Sequence, residues 1–451
     1  MLTTLTVTSE CRLDGCSSAL ERAIKEELTI NNPRYVAAKR YGRWIGKDLQ
    51  PTLRYYYERK DGALCFPRGF GNRAILLCRE ILGESPQIID KRRTLLEEDF
   101  VFSGKLRSYQ QEAVDLVTGR SFGVLEAGTG SGKTVMALAL IAVRRQPTLV
   151  IVHTKELLYQ WHDRAEQFLG VSPGLIGDSN FRLEPLTIGI VNSVRTKREE
   201  LSAHFGHLVV DECHRVPATL FTDVVAGFDC HYMLGLSATA FRSDAGMTRL
   251  IYFYLGDRLH RVDQNQLEQS GAIVKPVLVR KPTTFTHGYR GDYQKLITAL
   301  TCHEGRNRQI ADDVVQLVRK KRGGTVLIVS DRVNHCKILE ELLLKQQINV
   351  ALLTGRTPQE ERSAIVSSVV KGQVDVLIST LQLIGEGFDC PDLNTLVLTT
   401  PITFAGRFLQ VMGRIMRPGK DKQAVIYDYV DDSVPVLRRS ALARQKVFEG
   451  V

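Results

Sequence analysis

From Gly123 onward, short β-branched and aliphatic runs that end on a polar residue or glycine alternate with stretches of helical periodicity. The runs are Thr148 to His153, Thr187 to Val191, Leu208 to Val210, Tyr232 to Leu236, Thr325 to Val329, Val350 to Leu353, Val374 to Ile378, Leu396 to Leu398 and Ala424 to Tyr427. Strands that are apolar on both sides belong to a parallel sheet with helices on both faces. They form two groups, about 100–257 and 272–451, joined near residues 255–290 through a helix-poor stretch that carries Pro276 and Pro282, which predicts two α/β domains in tandem. The first 99 residues lack the alternation and are expected to form a small α+β domain. The tail from Val434 to Val451 reads as a basic amphipathic helix packed on the second domain.

Composition narrows the classes. With 43% apolar and 24% charged residues, the 451-residue chain can bury sizeable cores and is not disordered over most of its length. No run approaches the ~20 apolar residues needed to span a bilayer, and the N-terminus lacks a basic region followed by a hydrophobic one, so neither membrane insertion nor export is expected. The nine cysteines are odd in number, scattered and without a CxxC pair, which fits reduced thiols in a cytoplasmic compartment better than zinc or disulfides. Sixty Lys and Arg against fifty Asp and Glu give a net charge of +10, suited to a polyanion; nucleic acid is the usual candidate, with a membrane surface or an acidic protein also compatible. Between Asn31 and Glu80, eleven basic residues face four acids and are interleaved with eight aromatics, including Tyr35, Tyr41, Trp44, Tyr55, Tyr56, Tyr57, Phe66 and Phe70. Such a mixture can contact phosphates and stack on bases, or be a domain core with a solvated charged surface.

The strongest local signal is LEAGTGSGKT, Leu125 to Thr134, between an apolar strand and a helix. Ala127, Gly128, Thr129, Gly130, Ser131 and Gly132 let the backbone curl so that its N–H groups face phosphates at the positive end of the helix. Lys133 is then placed to neutralise β/γ-phosphate charge and Thr134 to hold Mg²⁺. Ala127 stands where the strict pattern has glycine. HLVVDECH follows about 80 residues on; Asp211 would bind Mg²⁺ through water and Glu212 would polarise the attacking water.

Gln110 in LRSYQQEAV, then AGTGSGKT, HTKELLYQW, DECH, SAT, STLQLIGEGFDCP and QVMGRIMRP occur in the order found in superfamily two helicases. The DECH box, LGLSATAFR and NPRYVAAKRYGRW resemble the UvsW-type branch-migration helicases of bacteriophages and their XPB-like relatives. This resemblance implies two RecA-like domains with ATP and Mg²⁺ between them. It implies adenine recognition by Gln110 with Arg107, coupling of hydrolysis to strand movement by His214, Ser237 and Thr239, and ATP-side contacts from Gly387 and Asp389. Gln410, Arg414 and Arg417 match the last motif, whose arginines reach the γ-phosphate, where a planar guanidinium suits charge spreading over the transferred group. Nucleic acid would cross the strand ends at Thr154, Lys155, Asn192, Ser193, Ser330, Asp331, Thr354 and Gly355, with Thr380 as a further phosphate contact. Val411 stands where many members have arginine. Gln410 stands where RNA-acting DEAD-box proteins have histidine, which together with DECH argues against an RNA unwinder.

The expected protein is thus an ATP-dependent DNA helicase: residues 1–99 a basic DNA-binding domain, 100–257 the first RecA-like domain and 258–451 the second. It would unwind or branch-migrate forked and junction DNA as a cytoplasmic monomer in a bacterial or phage-infected cell. The alternatives are a double-stranded DNA translocase that remodels protein–DNA complexes without strand separation, and a non-enzymatic DNA-binding module.

Overall fold

In the computed structural model, the structure describes residues 2–40, 44–214, 218–238, 245–320, 324–385, 393–402, 405–419 and 422–449. The chain forms two compact units, Met1–Ala127 with Gly132–Val262, and Gly128–Ser131 with Asp263–Val451.

The first unit holds two large sheets, beside a two-stranded antiparallel ladder of Thr29–Asn31 with Thr52–Arg54. The N-terminal one has five strands in the order Tyr57–Glu58, Leu64–Pro67, Glu10–Asp14, Thr4–Val7 and Gln87–Asp90, antiparallel except for the last pair. Alternation along Thr4–Val7 and Glu10–Asp14 turns Leu5, Val7, Cys11 and Leu13 to one face, as strand geometry demands. The helices Ser18–Glu27 and Gly71–Leu82 cover that face with Leu20, Ile24, Ala74 and Leu77. The second sheet has eight strands in the order Asn180–Arg182, Gly174–Gly177, Leu186–Ile190, Thr148–Val152, His207–Val210, Tyr232–Ser237, Phe122–Glu126 and Arg258–Arg261. All its pairs are parallel except the first, and Thr148–Val152 and His207–Val210 are buried at every position. Arg258–Arg261, assigned to the second domain from the sequence, pairs with Phe122–Glu126 and so completes this sheet.

The two sheets share a core. Leu250 and Phe253, on the helix Ala245–Leu255 of the larger sheet, pack with Leu5, Phe66 and Phe70, and the Phe253 ring lies 5.8 Å from those of Tyr55 and Phe70. Between them the Arg68 side chain is 2% exposed. It donates from Nη1 to the Cys230 carbonyl at 2.7 Å and places Nη2 3.2 Å from Met233 Sδ. A Cβ on the adjoining Gly69 would meet Gly256 N at 2.3 Å and Tyr252 O at 2.5 Å, so the turn admits only glycine at this approach. The two readings of the aromatics divide by residue: Phe66 and Phe70 are core and Tyr55 and Tyr56 pack against it, whereas Tyr57 and Trp44 stay exposed.

The second unit is one parallel sheet of six strands, ordered Val277–Pro282, Val425–Val430, Leu393–Leu398, Thr325–Ser330, Val376–Thr380 and Val350–Leu353. The terminal helix Pro435–Glu449 buries Leu437 and Ala441, and Arg444 forms a buried ion pair with Asp428 at 2.7 Å. The eight cysteines among the described residues are free, and burial pushes the Cys11 thiol up to about 12, which keeps it unreactive. No helix among them is long and apolar enough to cross a membrane.

Candidate active site

Phe122–Glu126, Tyr232–Ser237 and His207–Val210 are neighbours in the first unit's large sheet, so the loops after them emerge side by side at one edge. In such sheets ligands bind at the carboxyl ends of the strands. Ala127 N–H donates to Ser237 O at 2.9 Å, fixing where the glycine loop leaves the sheet. Gly130 and Gly132 have φ of 87° and 80°, the left-handed region that glycine enters at no steric cost. A Cβ on Gly132 would lie 2.4 Å from Gln110 Nε2. Gln110 itself is buried, its Oε1 accepting the Arg107 N–H at 2.9 Å. The amide thus stands against the loop, while the Arg107 residue is exposed.

The helix Lys133–Arg144 begins directly after Gly132. Lys133 Nζ donates to Ala127 O at 3.0 Å and lies 3.5 Å from Glu212 Oε1. Asp211 is buried at the end of His207–Val210, its Oδ1 accepting the Glu212 N–H at 2.9 Å and its Oδ2 accepting Trp161 Nε1–H at 2.8 Å. Burial, and after it the Glu212 charge, raise the Asp211 carboxyl to about 6, opposed by the Trp161 hydrogen bond and Lys133. Glu212 has a φ of 46°, a strained conformation of the kind found at functional sites. His214 Nδ1 is 2.7 Å from Ser237 Oγ and 3.4 Å from Glu212 Oε2. A chain of polar contacts therefore runs from Lys133 through Glu212 and His214 to Ser237. The oxygen donors of Asp211 and Thr134 are the hard ligands that Mg²⁺ prefers, so the residues present fit that ion.

Thr239, Gly387 and Asp389 lie outside the described residues. In the second unit, Gln410 and Arg414 are buried one helical turn apart on Ala405–Ile415, Arg414 Nε donating to Ile384 O at 3.1 Å, and Arg417 is half-buried beyond the helix end. The strand-end residues differ in what they can reach. Thr154 caps the helix Lys155–Leu169, Lys155 is exposed and paired with Asp178, Asn192 is exposed and Ser193 half-buried. Thr154 and Asn192 follow strands that pair directly, Val152 opposite Ile190. Thr380 is half-buried, and Thr354 is 8% exposed with its hydroxyl accepting the Arg356 N–H at 3.3 Å. Ser330 needs correction as a nucleic-acid contact. It is fully buried, with its hydroxyl 2.9 Å from His335 Nδ1 and accepting the Arg332 N–H at 3.1 Å, so a phosphate cannot reach it. Trp161 was not singled out from the sequence: on an apolar helix face with Leu157, Leu158 and Ala165 it has the signature of core, and only the fold reveals its hydrogen bond to Asp211.

Comparisons with known proteins match the two parallel-sheet regions in turn. The family model described as the res subunit of type III restriction enzymes matches residues 103–242, and the helicase conserved C-terminal domain matches residues 309–419. Two parallel-sheet domains with these matches define the motor of a superfamily two helicase, an ATP-hydrolysing enzyme. Within that class the chain is similar to XPB-like and UvsW-type helicases. It is 27% identical over 377 residues to the DNA 3'-5' translocase XPB2 of Sulfurisphaera tokodaii, covering 76% of this chain and 85% of that one. It is 24% identical over 453 residues to the ATP-dependent DNA helicase uvsW of Enterobacteria phage T4, covering 92% and 86%. A putative ATP-dependent RNA helicase, L396 of Acanthamoeba polyphaga mimivirus, is 28% identical over 370 residues, covering 78% and 69%.

Proposed function

We propose that the chain is a DNA helicase that unwinds or branch-migrates forked and junction DNA, working as a monomer. The observation that carries the catalytic part is the meeting of Lys133, at the start of its helix, with Asp211 and Glu212 after His207–Val210, joined through His214 to Ser237. The glycine loop and the start of Lys133–Arg144 bind the nucleotide's phosphates, and the Gln110 amide, with Arg107, contacts its base. Asp211 and Thr134 would hold Mg²⁺, which would supply positive charge to the nucleotide's phosphates. Lys133 neutralises the same phosphates, so binding draws its ammonium from Glu212 and leaves that carboxylate to take a proton from the attacking water. His214 lies between Glu212 and Ser237 and carries the change in the carboxylate's partner towards Ser237 and Thr239. Gln410, Arg414 and Arg417 act on the γ-phosphate, and Gly387 and Asp389 on the rest of the nucleotide. Thr154, Lys155, Asn192, Ser193, Thr354 and Thr380 contact the nucleic-acid backbone.

A second reading, translocation on duplex DNA without strand separation, is favoured by the core shared between the N-terminal sheet and the first motor sheet. A segment fixed in this way moves with its motor domain and can hold a duplex without wedging it apart. Displacement of a labelled strand from forked DNA decides between the two. ATP-dependent displacement supports the helicase; ATP-dependent removal of a bound protein without displacement supports the translocase.

A further inference from the structure

The chain contains two tryptophans. Trp44 is 87% exposed; Trp161 is 1% exposed and donates its indole N–H to Asp211 Oδ2 at 2.8 Å. We propose that Trp161 is a positioning residue of the ATP site, holding the Asp211 carboxylate in the orientation in which it receives the metal ion. The inference rests on the reading of Asp211 as a metal-holding residue.

The indole N–H is a donor only, so Trp161 can orient a carboxylate but cannot compete with it for a cation. Its partner leaves little freedom: Oδ1 is held by the Glu212 N–H at 2.9 Å and Oδ2 by Trp161. With one donor on each oxygen, the carboxylate plane is set before any ligand arrives, and a lone pair on each oxygen remains for a metal-bound water. The rest of Trp161 is anchored in the core with Leu158 and Ala165 on the helix Lys155–Leu169. That helix follows Thr154, so one element carries both a strand-end threonine proposed to contact nucleic acid and the group that holds Asp211. Outer partners of metal-holding side chains carry much of the affinity: their removal costs about 10- to 100-fold in metal binding or activity.

The test uses the full chain and Trp161→Phe, which keeps an aromatic ring in the core and removes only the donor. The expected result is an Mg²⁺ half-saturation for ATP turnover raised about tenfold, with unchanged affinity for a fluorescent adenosine nucleotide measured in EDTA. A purely structural tryptophan would change both or neither, and a half-saturation within twofold of wild type overturns the proposal. Should the variant fail to fold, the wild-type chain gives the answer. With Trp44 emission quenched by acrylamide, the remaining emission comes from Trp161; adding Mg²⁺ to the nucleotide-bound protein should change its intensity, and no change overturns the proposal. Asp211→Asn separates the two levels. Unimpaired turnover there removes the metal reading and this inference with it, whereas an essential Asp211 beside an indifferent Trp161 removes only the inference.

Discussion

Lys133 and Gly132 are the residues at which the chemistry and the backbone of the site are most exposed to test. Removing the Lys133 ammonium deletes a charge that acts on the transferred phosphoryl group, so Lys133→Ala should lower ATP turnover by about 100-fold or more. Its melting temperature should stay at the wild-type value, because the side chain is held by one carbonyl and one carboxylate at the site rather than by the core. Steady-state turnover beside a thermal melt checks both. Gly132→Ala meets two obstacles: a φ of 80° and the Gln110 amide at 2.4 Å from the added carbon. The first costs about 1–2 kcal/mol, and the second is relieved by Gln110→Ala. The double variant should therefore be more stable than the sum of the single effects implies, a coupling visible in a double-mutant cycle. Much of this site was legible in the sequence because a phosphate loop and a carboxylate pair need fixed residue types at fixed spacing. Trp161 was not, because a donor buried in a core looks the same in sequence as an aromatic that merely fills it. Ser330 was misread for the converse reason: a hydroxyl at a strand end suits a ligand, but His335, five residues on, turns back to use it.

Among the elements, the buried histidines make each motor sheet sensitive to acid. His335, in the helix Val333–Leu344, lies 2.9 Å from Ser330 Oγ through Nδ1 and 2.9 Å from Asn307 Oδ1 through Nε2. Burial and the Arg306 charge hold it down to about 3. His207, in the first unit, is held well below the ordinary range by burial and by Arg144, whose Nη1 donates to its Nε2 at 2.8 Å. For a histidine lowered in the folded state, the unfolded chain binds the extra proton. Stability is thus fully present above pH 6.5 and falls away as pH drops through that value towards the folded pKa. His335 should cost about 2 kcal/mol at pH 5 relative to pH 7.5, and His207 adds a loss in the same direction. Chemical denaturation at the two pH values should show the decrease, and His335→Gln should lessen it. Central parallel strands such as Thr148–Val152, His207–Val210 and Thr325–Ser330 were readable from the sequence because both their faces are buried. Val277–Pro282 was not: as an edge strand beside Val425–Val430 it is partly exposed, and it is flanked by Pro276 and ends on Pro282. Proline is tolerated there because one side of an edge strand has no ladder to complete.

At the scale of the whole molecule, the N-terminal sheet is bound to the motor rather than appended to it. Removing residues 1–99 would uncover Leu250 and Phe253 and take away Arg68, so the shortened chain should aggregate or melt well below the full chain. Light scattering with a thermal melt checks this, and a soluble truncation with wild-type stability would contradict the shared core. The charge in this region is better tested without cutting. Arg34, Lys39, Lys47, Arg54, Arg59 and Lys60 are exposed, and changing them to Gln should weaken DNA binding and flatten its salt dependence by about 0.9 in slope for each phosphate no longer neutralised. The sequence showed this basic excess but not which aromatics were core, since burial against Phe253, nearly 200 residues away, leaves no local pattern. The account as a whole stands on ATP turnover coupled to DNA. The most direct measurement is steady-state ATP hydrolysis by the full chain with forked, duplex and single-stranded DNA and with single-stranded RNA, alongside Glu212→Gln. The predicted result is turnover that rises with DNA, most with the forked substrate, and disappears in Glu212→Gln. Turnover indifferent to DNA, stimulated by RNA alone, or unaffected by Glu212→Gln would contradict it.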